Sequence, residues 1–136
     1  MYVIIVGGGR VGYFLARDLS ERGEEVTLIE RDRKRAEWLE AHLGSIIVQG
    51  DGCEGQFLEK TGIERCDVMV AATGDDEDNL VSLQLAKRYF KVPLTIDRVN
   101  NPVNVEIFKQ LGVDDAISAT EVLLKAMEHG FEGRQE

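Results

Sequence analysis

Two spacings of apolar residues alternate along this chain. Short runs dominated by β-branched and other apolar side chains occupy residues 2–6, 25–29, 46–49, 67–71, 94–97 and 115–117, and each predicts a strand. Between them, residues 11–22, 33–42, 54–60, 76–90 and 103–110 place apolar side chains three and four apart, which predicts five helices. Strict alternation of short strands with helices implies βαβ units, hence a parallel sheet covered on both faces. Gly23, Gly44, Gly62 and Gly112 each follow a helical run closely, where a left-handed terminal residue favours glycine. Pro102 falls in the first turn of its helix, behind Asn100 and Asn101. A seventh element, residues 120–128, is apolar at Val122, Leu123, Ala126 and Met127. Such a helix either packs on its own domain or leaves it for a partner subunit, and periodicity does not separate the two.

The first strand runs directly into glycines in the stretch VIIVGGGRVGYFLARDL. Gly7, Gly9 and Gly12 match G-x-G-x-x-G, a weak signal alone. Its context is specific: a strand before it, a helix after it, and an acidic residue, Glu30, at the end of the next strand, 18 residues past the last glycine. Gly7 allows the tight turn out of the strand, Gly9 lets backbone approach a phosphate, and Gly12 lets the helix pack against the sheet. The helix N-terminus at Arg10 and Val11 offers unpaired N–H groups and a partial positive charge to an anion. Glu30 would accept hydrogen bonds from an adenosine ribose and repel a 2′-phosphate, favouring NAD or an adenine nucleotide over NADP; the adjacent Arg31 weakens that exclusion. The fold expected is therefore α/β: a Rossmann-like, doubly wound, six-stranded parallel sheet with helices on both faces and a C-terminal helix.

Composition narrows the ligand and the compartment. With 136 residues, 43% hydrophobic and 30% charged, the chain supplies one core. A formal net charge of −9 disfavours nucleic acid and anionic membranes as partners, so an anionic ligand must be held locally by backbone amides and a few arginines. No apolar run approaches membrane-crossing length and no signal-peptide core opens the chain, so a cytosolic location is expected. Cys53 and Cys66 make neither a disulfide framework nor a zinc pattern, and reduced thiols are expected.

Two further loops belong to the same crevice, because ligands in open parallel sheets bind outside the carboxyl ends of the strands. Asp51, Gly52 and Cys53 follow the third strand and are placed to border an adenine, unless Asp51 merely caps a helix and Cys53 fills space. Thr73 and Gly74 follow the fourth strand and would border the second half of a dinucleotide. The acidic run from Asp75 to Asp78 is read as carboxylates at a helix N-terminus rather than as metal ligands. Arg10 and Arg98 are the basic residues nearest the inferred phosphates. No catalytic group can be placed: His42 and His129 lie away from strand carboxyl ends, no Walker lysine or nucleophile elbow occurs, and the nucleotide unit uses the whole chain. The sequence therefore reads as a binding module, with a small NAD-dependent oxidoreductase, or a detached dehydrogenase nucleotide domain, as the alternative.

The glycine loop together with VTLIERD, VQGDGCEGQFLEKTGIERCDVMVAATGDDEDNL and DRVNNPVNVEIFKQLGVDDAIS resembles the RCK N-terminal (TrkA-N) domain of TrkA-type regulatory subunits of potassium uptake systems. The likeness runs in order over nearly the whole chain; Cys53 stands where the family often has threonine. The resemblance implies a ligand sensor rather than an enzyme, binding NAD(H) or ATP/ADP, dimerising, and joining cytoplasmic rings that gate a membrane potassium transporter or channel of the Trk/Ktr type. Carried over by position, Gly7, Gly9 and Gly12 form the phosphate loop and Arg10 a phosphate contact. Glu30 becomes the ribose acceptor, Asp51 to Cys53 the adenine rim, and Arg98 a basic residue near the phosphates. Glu121 matches a position where some relatives hold a divalent cation at a dimer interface. Residues 1–119 would be the nucleotide-binding domain and 120–136 a crossover helix and tail. The second, C-terminal regulatory domain common in the family is absent from this chain, which leaves three expectations open: that the chain works alone, pairs with a separately encoded partner, or is a fragment.

Overall fold

The computed structural model describes residues 1–134. Six strands alternate with helices: β1 (Tyr2–Val6), α1 (Arg10–Glu21), β2 (Glu25–Glu30), α2 (Arg33–Leu43), β3 (Ile47–Gln49), α3 (Gly55–Glu59), β4 (Val68–Ala71), α4 (Asp76–Gln84), β5 (Leu94–Val99), α5 (Asn104–Gln110), β6 (Asp115–Ser118) and α6 (Ala119–His129). All pairings are parallel, in the order β3-β2-β1-β4-β5-β6. The chain winds outward from β1 to β3, then crosses back to β4 and winds the other way. The loops after β1 and β4 therefore diverge to opposite faces and leave a crevice between them.

β1 is buried at all five positions because successive side chains enter two separate cores. Tyr2, Ile4 and Val6 join Met69 and Ala71 against Leu58, Leu83 and Phe108 of α3, α4 and α5. Val3 and Ile5 join Val26, Leu28 and Val70 against Ala16 and Leu39 of α1 and α2. The continuous apolar run VIIV is thus the expected composition for a central strand with helices on both sides. The glycines that follow helical runs adopt positive φ, as at Gly23 (φ 88) and Gly112 (φ 103).

Several element ends differ from the sequence expectation. β2 extends to Glu30, which pairs with Gln49, and β5 extends through Arg98 and Val99, which pair with Ile117 and Ser118. The helix expected over 76–90 is regular only to Gln84; Leu85–Tyr89 form a π-helical turn that lets the consecutive residues Leu85 and Ala86 both reach the same core. Pro102 precedes α5 instead of lying in its first turn, and the helix of 54–60 contracts to α3 with a separate 3₁₀ turn at Ile63–Arg65.

One polar residue in the interior stands out. Asp97 on β5 is 0% exposed, and neither carboxyl oxygen has a hydrogen-bond partner among the described residues. Burial, followed by repulsion from Asp76, pushes its titration up to about 7. At the other end of the domain, α6 begins directly after β6 with Ser118 Oγ accepting from the Glu121 N–H at 3.1 Å, yet the helix has no buried residue. Val122, Leu123, Leu124 and Met127 are each more than half exposed. The tail expected to 136 includes Gln135 and Glu136, which lie outside the described residues.

Candidate nucleotide cleft

The loops at the carboxyl ends of β1, β2, β3 and β4 enclose a cleft of about 370 Å³. Gly7, Gly8, Gly9, Glu30, Arg31, Asp51, Gly52, Cys53, Thr73 and Gly74 line it, joined by Asp75, Asp78 and Ser82 from the α4 side. The size suits a nucleotide-scale ligand.

The glycine loop is shaped by contacts that a side chain would destroy. Gly7 has φ +106, and a Cβ there would lie 2.8 Å from the Thr73 backbone nitrogen. At Gly12 a Cβ would lie 1.8 Å from the Gly7 carbonyl oxygen, so the helix can approach the loop only without one. Gly9 behaves differently: nothing lies within 4 Å of a Cβ built on it. Gly9 caps α1 without any side-chain hydrogen bond, and the first turn of α1 carries no acidic residue. By contrast α2, α4 and α6 are closed by the side chains of Asp32, Asp75 and Ser118. The first N–H groups of α1, at Arg10 and Val11, are consequently left for an external acceptor, the arrangement that receives phosphate at helix N-termini. Arg10 and Val11 are exposed at this helix start and lie outside the cleft lining, as does Gly12, which is buried beneath it.

Glu30 organises the β2 side. Its Oε1 accepts from the Gly8 N–H at 2.9 Å and its Oε2 from the Asp32 N–H at 2.8 Å. Arg35 Nε donates to the Gly8 carbonyl at 2.7 Å, so the loop is held at both its amide and its carbonyl. Across the cleft, Arg31 Nη1 lies 4.0 Å from Asp78 Oδ2. Asp51 Oδ1 accepts from the Cys53 N–H at 2.8 Å in a local turn; the side chain does not cap α3, whose N-cap is Glu54. The Cys53 thiol donates to the Asp78 carbonyl at 3.4 Å and lies 3.6 Å from Ser82 Oγ. Burial pushes this thiol up, away from thiolate chemistry.

The β4 side depends on a residue that sequence reading passed over. Asn79, fully buried in α4, accepts from the Thr73 N–H at 3.1 Å and donates from Nδ2 to the carbonyls of Thr73 and Arg98. It ties the loop after β4 to the end of β5. The run from Asp75 to Asp78 splits into separate tasks. Asp75 caps α4 through the Asp78 N–H, while Asp76 accepts from the N–H and Nδ2 of Asn100, the Asn101 N–H and Asn104 Nδ2. Partial burial works against the Asp76 carboxylate, but these donors outweigh it and hold its titration below the usual carboxylate range. The only sequence signal for either residue was its position in the first turn of a helix.

Arg98 is not in the cleft lining. It shares the face of Ile96, on the α1 side of the sheet, and its Nε is buried without a partner among the described residues. Glu121 is exposed in the first turn of α6, and no three His, Cys, Asp or Glu side chains among the described residues are grouped to hold a metal ion. Neither histidine approaches the cleft: His42 stacks on Trp38 and His129 pairs with Glu132 on the surface.

Comparison with known proteins agrees with this architecture. A Trk system potassium uptake protein TrkA homolog from Methanothermobacter thermautotrophicus is 44% identical over 118 residues, covering 87% of this chain and 54% of that protein. The Trk system potassium uptake protein TrkA of Mycobacterium tuberculosis is 42% identical over 135 residues, 94% of this chain and 58% of that one. The chain therefore spans little more than half the length of these curated relatives. Among solved structures, the NAD(P)-binding domain of an exopolyphosphatase-related protein from Archaeoglobus fulgidus superposes with a TM-score of 0.82 at 25% identity, covering 96% of each chain. The family model for the TrkA-N domain matches residues 3–119, nearly the whole of the α/β unit, and the chain belongs to that family.

Proposed function

We propose that this chain is the nucleotide-sensing part of a regulatory subunit of a potassium uptake system. The observation that carries the reading is the open N-terminus of α1, facing a glycine loop whose neighbours are held by Glu30. The donor set fits NAD(H) or ATP/ADP. The N–H groups of Arg10 and Val11 would take the phosphates over Gly7 and Gly9, with Arg10 as a flanking cation. Glu30 has acceptor capacity beyond its two present bonds and would take the ribose hydroxyls. Asp51, Gly52 and Cys53 would border the adenine, and Thr73 and Gly74 the second half of the ligand. The nucleotide supplies charge and bulk to be recognised; no bond of it is broken.

A ligand shifts a conformational equilibrium only as far as it binds one state better than another. In this reading residues 1–119 are the sensing unit and residues 120–136 carry the message. The apolar side chains of α6 seat on a second copy, so that occupancy of the cleft alters the dimer, the ring built from it, and through them a membrane transporter subunit of the Trk/Ktr type. A divalent cation at Glu121 would need ligands from that second copy, and a separately encoded C-terminal domain would complete the subunit. The chain works at the inner face of the membrane through its partner; among the described residues no helix is long and apolar enough to cross a bilayer.

Calorimetric titration with NAD, NADH, ATP, ADP and AMP, with oligomer mass followed in the same samples, tests the reading. Binding in the micromolar range coupled to a change in mass is expected. Glu30→Gln should weaken binding about tenfold in a variant that still folds, one charge-assisted hydrogen bond being worth roughly 1.5 kcal/mol; the thermal melt should fall modestly, because one of the Gly8 and Asp32 N–H groups loses its acceptor. Absence of binding by every nucleotide overturns the reading.

A further inference from the structure

Two carboxyl groups meet where β5 passes under α4, in opposite circumstances. Strand positions alternate in direction, so Asp97 shares the face of Thr95 and Val99, toward α4 and α5. It is 0% exposed, and neither of its oxygens has a hydrogen-bond partner among the described residues. Asp76, in the first turn of α4, is saturated instead. Its Oδ1 accepts from the N–H and Nδ2 of Asn100 at 2.7 and 2.9 Å, and its Oδ2 from the Asn101 N–H and Asn104 Nδ2, both at 2.9 Å. All of these donors belong to the link from β5 into α5. Three positions of chain separate Asp97 from Asn100, about 10 Å of extended backbone. The clasped carboxylate and the bare carboxyl therefore bracket one short stretch of chain.

The other charged groups around Asp97 are directed elsewhere. Ala71 and Ala116 oppose it on β4 and β6; β4 carries no charged residue, and Asp115 of β6 is exposed. Glu106 and Lys109 of α5 are exposed, as is Arg88 of the π-helical turn. Lys87 of that turn pairs with Asp114 at 2.7 Å beside Thr95, nearer the start of β5. On α4, Asp75 and Glu77 are exposed and Asp78 lies 4.0 Å from Arg31. Arg98 projects from the opposite face of β5. Asp76 is thus the charge that acts on Asp97, adding to the effect of burial. Partial burial opposes the Asp76 carboxylate, but its donors keep it ionised. The amides that could compensate a charge on Asp97 are already engaged: Asn100 and Asn104 by Asp76, and Asn79 by the carbonyls of Thr73 and Arg98.

We infer that Asp97, Asp76 and residues 100–104 form a proton-operated latch: while Asp97 is neutral the link into α5 is pinned by Asp76, and loss of the Asp97 proton releases it. A buried anion without a donor is not tolerated beside a second anion. It must recruit water or an amide, and both come most directly from opening the clasp, which frees the Asn100 and Asn104 amides and admits solvent at the end of β5. The proton leaves to that solvent. The direction is fixed: closed at low pH, open as pH rises through about 7. Release also reaches the loop after β4, because Asn100 Nδ2 donates to the Thr73 carbonyl at 3.1 Å. The inference stands on the interior of the domain and does not require that the cleft bind a nucleotide.

The test is NMR of the labelled chain from pH 5 to pH 9, following the Asp97 carboxyl carbon and the amide signals of Asn100 and Asn101, with hydrogen exchange at pH 6 and pH 8. The two amides should lose the downfield position of carboxylate-bound N–H groups with the same midpoint as the Asp97 carboxyl. Their protection, corrected for intrinsic exchange, should fall about tenfold more than that of the β1 amides, which report global opening. Both responses should vanish in Asp97→Asn and in Asp97→Ala; the second puts a methyl between Ala71 and Ala116 and excludes the new asparagine amide as the cause. The histidines, His42 on α2 and His129 on α6, are unchanged in these variants and serve as the internal control. Three results each overturn the inference: an Asp97 carboxyl that does not titrate in this range, one that titrates while Asn100 and Asn101 stay fixed, or a response of those amides that persists without Asp97.

Discussion

Asp97 is a carboxyl group in the wrong surroundings for a charge. Ala71 and Ala116 oppose it on the flanking strands, so it has space but no donor, and the nearest influence of the same kind is Asp76, itself saturated with N–H groups. The native group titrates at about 7 against 3.8 for an ordinary aspartate. Between those values the native protein keeps a proton that the unfolded chain has released, so stability falls as pH rises. The contribution is fully present below about pH 4 and lost above about pH 7. Over the window from pH 5 to pH 8 the loss comes to roughly 2.5 kcal/mol. Glu25, Asp76 and Asp114 do not mask it, since their hydrogen bonds hold them below the ordinary carboxylate range and their titration is complete at lower pH. Asp97→Asn removes the ionisation and keeps the shape. Its amide gains no partner, which costs about 1–3 kcal/mol at every pH, but the slope between pH 5 and pH 8 should disappear. Urea unfolding of both proteins at pH 5, 6, 7 and 8 measures that slope. Equal slopes in wild type and variant, or a wild type whose stability is flat or rises over this window, would refute the reasoning.

Two other expectations follow from packing. Gly12→Ala forces a methyl into the Gly7 carbonyl and should cost roughly 3 kcal/mol or more, seen as a fall in Tm of about 10 °C; a melt within about 2 °C of wild type would show that the loop yields easily. Leu124→Asp combined with Met127→Asp should convert a dimer to a monomer in sedimentation with little effect on the monomer's own melt, because no α6 side chain is buried within the domain. A wild type that is already monomeric at micromolar concentration, or a mass unchanged in the variant, would remove α6 from the assembly.

What was legible in the sequence was local. β-Branched runs, helical spacing and terminal glycines act over a few residues, so the six strands, the glycine turn and the position of Glu30 at the end of β2 follow from chain order alone. Ends were less legible where a neighbouring strand extends a ladder, as Ile117 and Ser118 do for Arg98 and Val99, or where two adjacent residues must share one core, as at Leu85 and Ala86. Only the tertiary structure decided which polar residues act together. Asn79 looks like any polar residue early in a helix until β4 and β5 place two carbonyls beside it. Asp97 looks like a polar position in a strand until both flanking strands and the helices above exclude every donor. The contrast between a bare α1 and an acid-laden α4 was written in the sequence as composition, but it becomes a property of one cleft only because the strand order brings β1 and β4 side by side. Local steric preference acts through bonded neighbours, whereas solvation and charge depend on everything within a few ångströms, and that neighbourhood is created by the fold.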